Sequence, residues 1–590
     1  IAYSLGVVIT FLAVILSSWR VSKLNIVAAI RDIPEVYRAR RNRPQLVWGS
    51  IAILIGVGLV LMAWNAGSVT PFLLGVTIVP FGLAAVLAYF GANTRVVLTA
   101  VGAFVLAWWL MPGDVFDWIF GNRFDVGGIE LFFISGISIV AASTMIIIQN
   151  MNVMLTAVGF LGGKVRGLLS PVRLGVAYAR ASAGRAGMMI AMFALIVFSI
   201  VVMGAVNSIF TQAILADDAN AGMQVRVDVP MANPISDFVA TLKDSGIDTT
   251  QMSTPGRMDA VGSLLDQQLI DRHGEETWES GYVVRSVDAT YLDETQLRFS
   301  ARAQGYGSDA AVREALKTQP NVMVIPSYLA TGGDDTADYS FGGQTVETFD
   351  TIPSKGTFAP QEVRMRGSAG ETRTLTIIGV MDANYTGMFG YFIGTPTMNQ
   401  LLPSNAPRFV SYYMTVGEGV DPGVVAANIE RELLPYGVQG VDIEQEMRDN
   451  QQQQSAFMML MQGFMGLGMI VGVAAVGVIA YRSVVERRQQ IGVLRALGLQ
   501  TRAVALAFMT ETAIVVMLGA GSGALLGLIL SRNLVNDPAT TGGIGSVEFQ
   551  APWTTVLITV GVAFVAALIM SWFPARQAAR IAPAEALRYE

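Results

Sequence analysis

The feature that most constrains this chain is a series of long apolar runs separated by loops whose charges alternate. A hydrocarbon layer of about 30 Å takes roughly 20 apolar residues of helix. Nine runs approach that length: 1–19, 46–64, 71–90, 96–111, 129–148, 186–210, 456–481, 504–530 and 552–573. With 52% hydrophobic and only 14% charged residues, the expected fold class is a multi-pass α-helical membrane protein rather than a soluble domain around one core.

Lysine and arginine are retained on the cytoplasmic side, and short loops follow that bias best. Loop 20–45 carries Arg20, Lys23, Arg31, Arg38, Arg40, Arg41 and Arg43, whereas 65–70 carries no basic residue. Arg95 follows; 112–128 then sets Asp114, Asp117 and Asp125 against Arg123 alone, and 149–185 holds Lys164, Arg166, Arg173, Arg180 and Arg185. Arg482, Arg487, Arg488, Arg495 and Arg502 fall on the same side again, as do Arg576, Arg580 and Arg588. Nine spans then put the start outside, the C-terminus in the cytoplasm and residues 211–455 outside. The net charge of −6 hides this asymmetry and says little about partners.

There is no cysteine, so disulfides, thiol catalysis and thiolate metal sites are excluded. The sequence opens at Ile1 directly into an apolar run, which is expected of a chain whose beginning is missing. "RVSKLNIVAAIR" at 20–31 aligns without gaps on "QAARIAPAEALR" at 577–588, each following an apolar run. That suggests a duplication: 1–45 as the last transmembrane helix and cytoplasmic tail of a truncated first unit, 46–148 as an inserted block of about four helices, and the rest as a complete second unit. Its parts are a cytoplasmic linker with an amphipathic leading helix (149–185), a transmembrane helix (186–210), an α/β domain (211–455) and three further transmembrane helices (456–590). A basic helix at 484–502 lies between the first two of those three.

Within 211–455, strand-like runs occur at 223–229, 321–326, 374–381 and 412–416. The last leads into "DPGVVAANIERELLPYG", where Asp421 is placed to cap a helix with Pro422 at its first position and an apolar face of Val424, Val425, Ile429 and Leu433. A strand resumes at "VQGVDIE", giving a βαβ-type unit, and "VRVDVPMANPISDFVATLKDSGID" reads the same way. Two α/β subdomains are expected. The domain ends in "EQEMRDNQQQQSAFMMLMQ", with no Gly or Pro where polar residues pass into the apolar run. That reads either as a transmembrane helix continued outward or as a polar boundary before an ordinary helix start.

"ERRQQIGVLRALGLQTRAVALAFMTETAIVVMLGAGSGALLGLIL" (486–530), "PARQAARIAPAEALRYE" at the C-terminus and "LGVAYARASAGRAGMMIAMFALIVFSIVVMGAVNSIF" (174–210) resemble the FtsX/MacB-like ABC transporter permease family. The resemblance covers 164–590 and, as a fragment, 1–31; it hardly touches 46–148. It implies a MacB-like extracytoplasmic domain, a bacterial cell (inner or plasma) membrane location, and a separate cytoplasmic ABC ATPase, as a dimer, gripping the basic helix. The residues implied in that contact are Glu486, Arg487, Arg488, Gln490, Ile491, Leu494, Arg495, Leu497 and Gly498. Read from the residues alone, Ile491, Leu494 and Leu497 form an apolar stripe, Gly492 and Gly498 permit close approach or a helix end, and the arginines suit partner carboxylates. An anionic lipid surface suits four arginines as well.

Other chemistry is sparse. "GFLGGKVRG" fails as a phosphate loop, since Val158 stands at its first glycine position and Val165 where Ser or Thr must bind magnesium. No catalytic, cofactor or metal residues are therefore assigned, and ATP with its magnesium is expected on the partner ATPase. His273, the only histidine, lies among Asp271, Glu275 and Glu276 in a polar loop and reads as solvated. Gly519, Gly523 and Gly527 recur at four-residue spacing and read as a helix packing face. Glu511 is the lone acid in its apolar run and reads as interfacial. The expected function is that of a permease subunit, not an enzyme. It would transmit ATP-driven conformational change to the outer domain and act on lipoprotein, peptide or lipid-linked substrates, or on a partner protein. An antimicrobial-peptide sensor or resistance module and a conventional exporter with a transmembrane path are the alternatives. The lipid bilayer is a partner, and no nucleic acid is expected.

Overall fold

The computed structural model describes residues 43–120, 129–151, 174–179, 182–214, 219–261, 265–270, 276–280, 283–330, 339–341, 344–346, 355–367, 370–382, 390–403, 406–536 and 549–580, with a few isolated residues besides. Most of the run 1–19, the repeated segments 20–31 and 577–588 beyond Arg580, the loop 159–167 and His273 lie outside them.

The first helices are α1 (Arg43–Ala66), α2 (Val69–Tyr89), α3 (Thr94–Trp109), α4 (Gly113–Phe120), α5 (Ile129–Gln149) and α6 (Ala183–Ile214). Six helices among the described residues are long and apolar enough to cross a bilayer: Arg43–Ala66, Val69–Tyr89, Gly184–Ile209, Ile443–Glu486, Thr501–Val535 and Trp553–Ala579. Thr94–Trp109 and Phe133–Gln149 are apolar but shorter. The stretch 112–128, read above only as an acidic loop, contains α4. That helix turns Phe116 and Phe120 into an aromatic cluster, with Phe120 5.3 Å from Phe72 and 5.9 Å from Trp108 between ring centres. Trp118 on its other side is 86% exposed.

The α/β domain follows α6. It begins with β1 (Val225–Val229), α7 (Phe238–Asp244) and β2 (Gly256–Val261). Next come β3 (Leu265–Ile270), β4 (Glu276–Ser280), β5 (Val284–Val287), α8 (Ala289–Glu294), β6 (Phe299–Ala303), α9 (Asp309–Thr318) and β7 (Val322–Ile325). After these lie β8 (Tyr339–Phe341), β9 (Gln344–Val346), β10 (Gly356–Phe358), β11 (Gln361–Gly367), β12 (Thr372–Met381), β13 (Tyr391–Gly394) and α10 (Thr395–Leu401). It closes with β14 (Phe409–Met414), α11 (Pro422–Glu432) and β15 (Gln439–Asp442).

The strand order begins β15-β1-β14-β2, and every pairing in that group is antiparallel. Hence β1–α7–β2 and β14–α11–β15 each skip one strand, and the two split βαβ units interlock as a ferredoxin-like sheet. Its core holds Val225, Val227, Leu242, Ile429 and Leu433. The order continues β5-β13-β7-β12-β11-β3-β4 into a second lobe, where β7 and β13 are buried along their whole length, as strands covered on both faces are. Two cores therefore exist, as two subdomains require, but one hydrogen-bonded sheet runs through both.

Asp421 caps α11 by accepting from the Gly423 amide. Val425, Ile429 and Leu433 face the core, four residues apart, while Val424, off that line, is 56% exposed. The final strand stops sooner than "VQGVDIE" suggests, because the Asp442 carboxylate accepts from the Gln445 amide and starts a helix. That helix is α12 (Ile443–Glu486), 44 residues without interruption, about 66 Å at 1.5 Å per residue. The polar stretch before the apolar run is thus the first part of one continuous helix. Short α13 (Arg488–Ala496), α14 (Thr501–Asn536) and α15 (Trp553–Ala579) complete the described chain.

Candidate functional site

Helix α13 turns the chain between α12 and α14, and Gly498 makes its end. With φ of +94°, Gly498 lets the Leu499 amide reach the Leu494 carbonyl at 3.1 Å while its own amide reaches Arg495 O at 3.0 Å. These are the two bonds of a Schellman cap.

Most of the residues singled out above face their own chain. Ile491 is fully buried beside Val484, Val504, Phe508 and Ala578. Glu486 uses one carboxylate oxygen on Arg185 (2.6 Å) and the other on Arg482 (2.7 Å). Arg495 donates to the Ala579 carbonyl at 3.0 Å. Arg487 is 7% exposed. Its guanidinium lies 4.4 Å above the Tyr178 ring, donates to Tyr178 O and Ser182 Oγ at 3.2 Å each, and reaches Glu511 at 3.4 Å. Burial raises the Tyr178 hydroxyl above its usual range, against the pull of the Arg487 charge.

Gln490 and Leu497 are exposed, Leu497 at 79%, and Leu494 and Arg488 are half-buried. The proposed stripe therefore splits. Steps of three residues fall about 60° short of a full turn each, so Leu497 stands well around the helix from Ile491. What remains open to a partner on α13 and its cap is Gln489, Gln490, Val493, Ala496, Leu497 and Gly498, with Arg502 beyond the turn. Arg487 and Arg495 are committed internally rather than offered to outside carboxylates.

Glu511 is buried against its own chain: it is 9% exposed and lies 3.3 Å from Ser182 Oγ as well as against Arg487. Tyr178, Ser182 and Arg185 were not marked by the sequence, since nothing in a basic, Ala-rich segment shows which turn will meet a helix 300 residues away. The one available signal was the lone acid in an apolar run, because such a charge requires a partner.

Gly519, Gly523 and Gly527 all face α6. A Cβ on Gly523 would lie 2.3 Å from Ala194 O, one on Gly519 2.8 Å from Ile190 O, and one on Gly527 3.1 Å from a Val201 methyl. The contacts advance together along both helices, so α6 and α14 run parallel. At the other end of the spans, Arg226 on β1 holds Glu446 of α12 through two bonds of 2.8 and 3.0 Å, and the Ile443 amide donates to Gln224 O at 3.0 Å. Further along, Gln451 donates to Thr211 (3.0 Å) and Ser455 to Asn207 (3.4 Å), joining α12 to α6. Among the described residues no group of three or more His, Cys, Asp or Glu side chains is placed to hold a metal ion.

Residues 463–583, from the middle of α12 to just beyond α15, match the FtsX-like permease C-terminal family. An uncharacterized ABC transporter permease of Methanocaldococcus jannaschii is 25% identical over 197 residues, 33% of this chain and 49% of that protein. The macrolide export ATP-binding/permease protein MacB of Wolinella succinogenes is 31% identical over 144 residues, 24% of this chain and 21% of that one. The lipoprotein-releasing system transmembrane protein LolC of Xylella fastidiosa is 29% identical over 139 residues, 21% and 34% of the two chains. The matches thus span half or less of these relatives. The crystal structure of the periplasmic region of MacB from Actinobacillus actinomycetemcomitans aligns with 40% of this chain and 96% of its own, at 8% identity and a TM-score of 0.24. The chain is a multi-pass helical membrane protein with an α/β domain, and its residues 463–583 are similar to the C-terminal part of FtsX-like permeases.

Proposed function

We propose that this permease relays movement driven by ATP hydrolysis on a cytoplasmic ABC ATPase to its α/β domain. The exposed side of α13, centred on Gln490, Val493 and Leu497, is the surface offered to the ATPase, and the C-terminus lies on the same, cytoplasmic side. ATP and magnesium are handled by that partner. The observation that carries the reading is the continuity of α12, which joins β15 of the sheet to α13 in one helix of 44 residues. Helix α6 supports it, leading from the Arg185 end near α13 to the Asn207 and Thr211 contacts near the sheet. The arginines clustered at the α13 end are the charges that stay cytoplasmic. On this reading the α/β domain engages lipoprotein, peptide or lipid-linked molecules, or a partner protein.

The test is co-purification of the full chain with its ATPase, comparing wild type with Leu497→Asp. A charge in the middle of an apolar contact is expected to abolish the complex and the hydrolysis it supports, while membrane insertion is retained. An intact complex with unchanged hydrolysis rejects α13 as the ATPase contact.

A further inference from the structure

We infer that Arg487 and Glu511 are positioning residues of a buried polar joint, one that fixes α13 to the bases of α6 and α14 so that a displacement of α13 is passed to both. This deepens the reading of α13 as the ATPase contact and rests on it.

Arg487 occupies the junction itself, ending α12 and beginning α13. Its guanidinium has ties to three other residues in two further segments of the fold. It pairs with Glu511 on α14, donates to the Tyr178 carbonyl and Ser182 hydroxyl in the segment leading into α6, and covers the Tyr178 ring. A cavity lined by Ser182, Ser483, Glu511 and Ser571 adjoins the pair, so α12, α14, α15 and the start of α6 all meet there. Both charges are nine-tenths buried.

Apolar side chains of like volume would pack such a corner at least as well, because desolvation consumes much of what a buried ion pair gains. What the pair adds is direction. Guanidinium bonds have fixed geometry, so α13 cannot rotate or slide without moving Glu511 and Ser182 or breaking with them. The Arg185–Glu486 pair nearby does not serve the same end, since its side chains are 28% and 42% exposed and water weakens it. Arg495, bonded to Ala579 O, ties the far end of α13 to α15, and Ile491 packs on Val504 and Phe508 of α14; the Arg487 end adds a directional tie to α14 and to the segment leading into α6.

The absence of cysteine allows unique spin labels. The full chain in lipid nanodiscs, without ATPase or nucleotide, is labelled at Gln489→Cys and Gly184→Cys to follow α13 against the base of α6. Met188→Cys with Leu525→Cys is the control pair on α6 and α14. The expected result is a narrow distance distribution in the parent, lost in Glu511→Gln and in Arg487→Met, and recovered when Arg487→Glu is combined with Glu511→Arg, with the control pair unchanged throughout. Distributions as narrow as the parent in both single variants overturn the inference. Broadening of the control pair together with the α13 pair also overturns it, because the ion pair is then a general support of packing. If Arg487→Met does not insert, Glu511→Gln, which keeps the size and the Ser182 contact, carries the test. No ATPase is present, so loss of the ATPase reading and loss of the joint are read separately.

Discussion

Replacing Gly523 by alanine tests the α6–α14 contact most sharply, because the clash is with backbone. The added methyl would sit 2.3 Å from Ala194 O and 2.9 Å from Ala194 Cα. A comfortable non-bonded contact lies near 3.5 Å, so the two helices must part by roughly 1 Å over a stretch where Ala194 is fully buried. Overpacking of this kind costs about 1–3 kcal/mol. Alanine also favours a helix over glycine by about 1 kcal/mol, which masks part of the cost. Gly521→Ala supplies the correction: a Cβ there meets nothing within 4 Å, so it receives the helix preference without the clash. The difference between the two alanine variants should therefore be about 1–3 kcal/mol, the packing cost alone. The assay is reversible unfolding of the purified chain in lipid–detergent bicelles, with Gly527→Ala falling between the two because its nearest neighbour is a side chain. If Gly523→Ala and Gly521→Ala unfold within about 0.5 kcal/mol of each other, a difference no larger than an ordinary surface substitution makes, α6 and α14 are not packed through this stripe.

Gly498→Ala should cost about 1–2 kcal/mol, the penalty for a side chain in left-handed backbone, and limited proteolysis should then show earlier cleavage at the α13–α14 turn. A double-mutant cycle on Arg226→Gln and Glu446→Gln should give a coupling of about 1 kcal/mol or less, since both side chains are partly exposed and screened; a value near zero would remove the pair as a fastening between α12 and the sheet. Burial raises the Asp288 carboxyl above its usual value, against the opposing hydrogen bond from the Tyr291 amide. Its ionisation therefore favours the unfolded chain as pH rises through the ordinary carboxylate range. Asp288→Asn keeps an acceptor for the Tyr291 amide and should stabilise the domain near pH 7 but not near pH 3; an equal effect at both would show that the carboxylate charge is not the cause.

The course of the chain was legible where local chemistry decides it. Asp421 and Pro422 start α11, and β1 and β12 fall on their apolar runs. Pairing was not legible: β1 lies between β14 and β15 because a sheet is closed by residues nearly 200 positions away, and no local pattern records that partner. Helix α4 was missed because eight residues between two spans leave too short a period to distinguish from a loop. At the candidate site the sequence marked the segment but not its facing. Ile491 and Leu497 share a spacing that looks like one stripe, yet a helix turns them to different sides. Arg487 is as basic as Arg488, and only the position of Glu511 on the neighbouring helix makes one of them internal.

The unbroken length of α12 also sets a mechanical ratio. A rod of about 66 Å that tilts by about 5° carries its far end roughly 6 Å, more than a turn of helix in rise. On the proposed relay, an adjustment at the α13 end no larger than the reseating of one side chain is multiplied into a displacement of the sheet. The multiplication runs in reverse as well: a load on the sheet arrives at the Arg487 corner as a small movement with a large moment, which is the kind of signal a stiff, directional contact resists and a loose one would absorb.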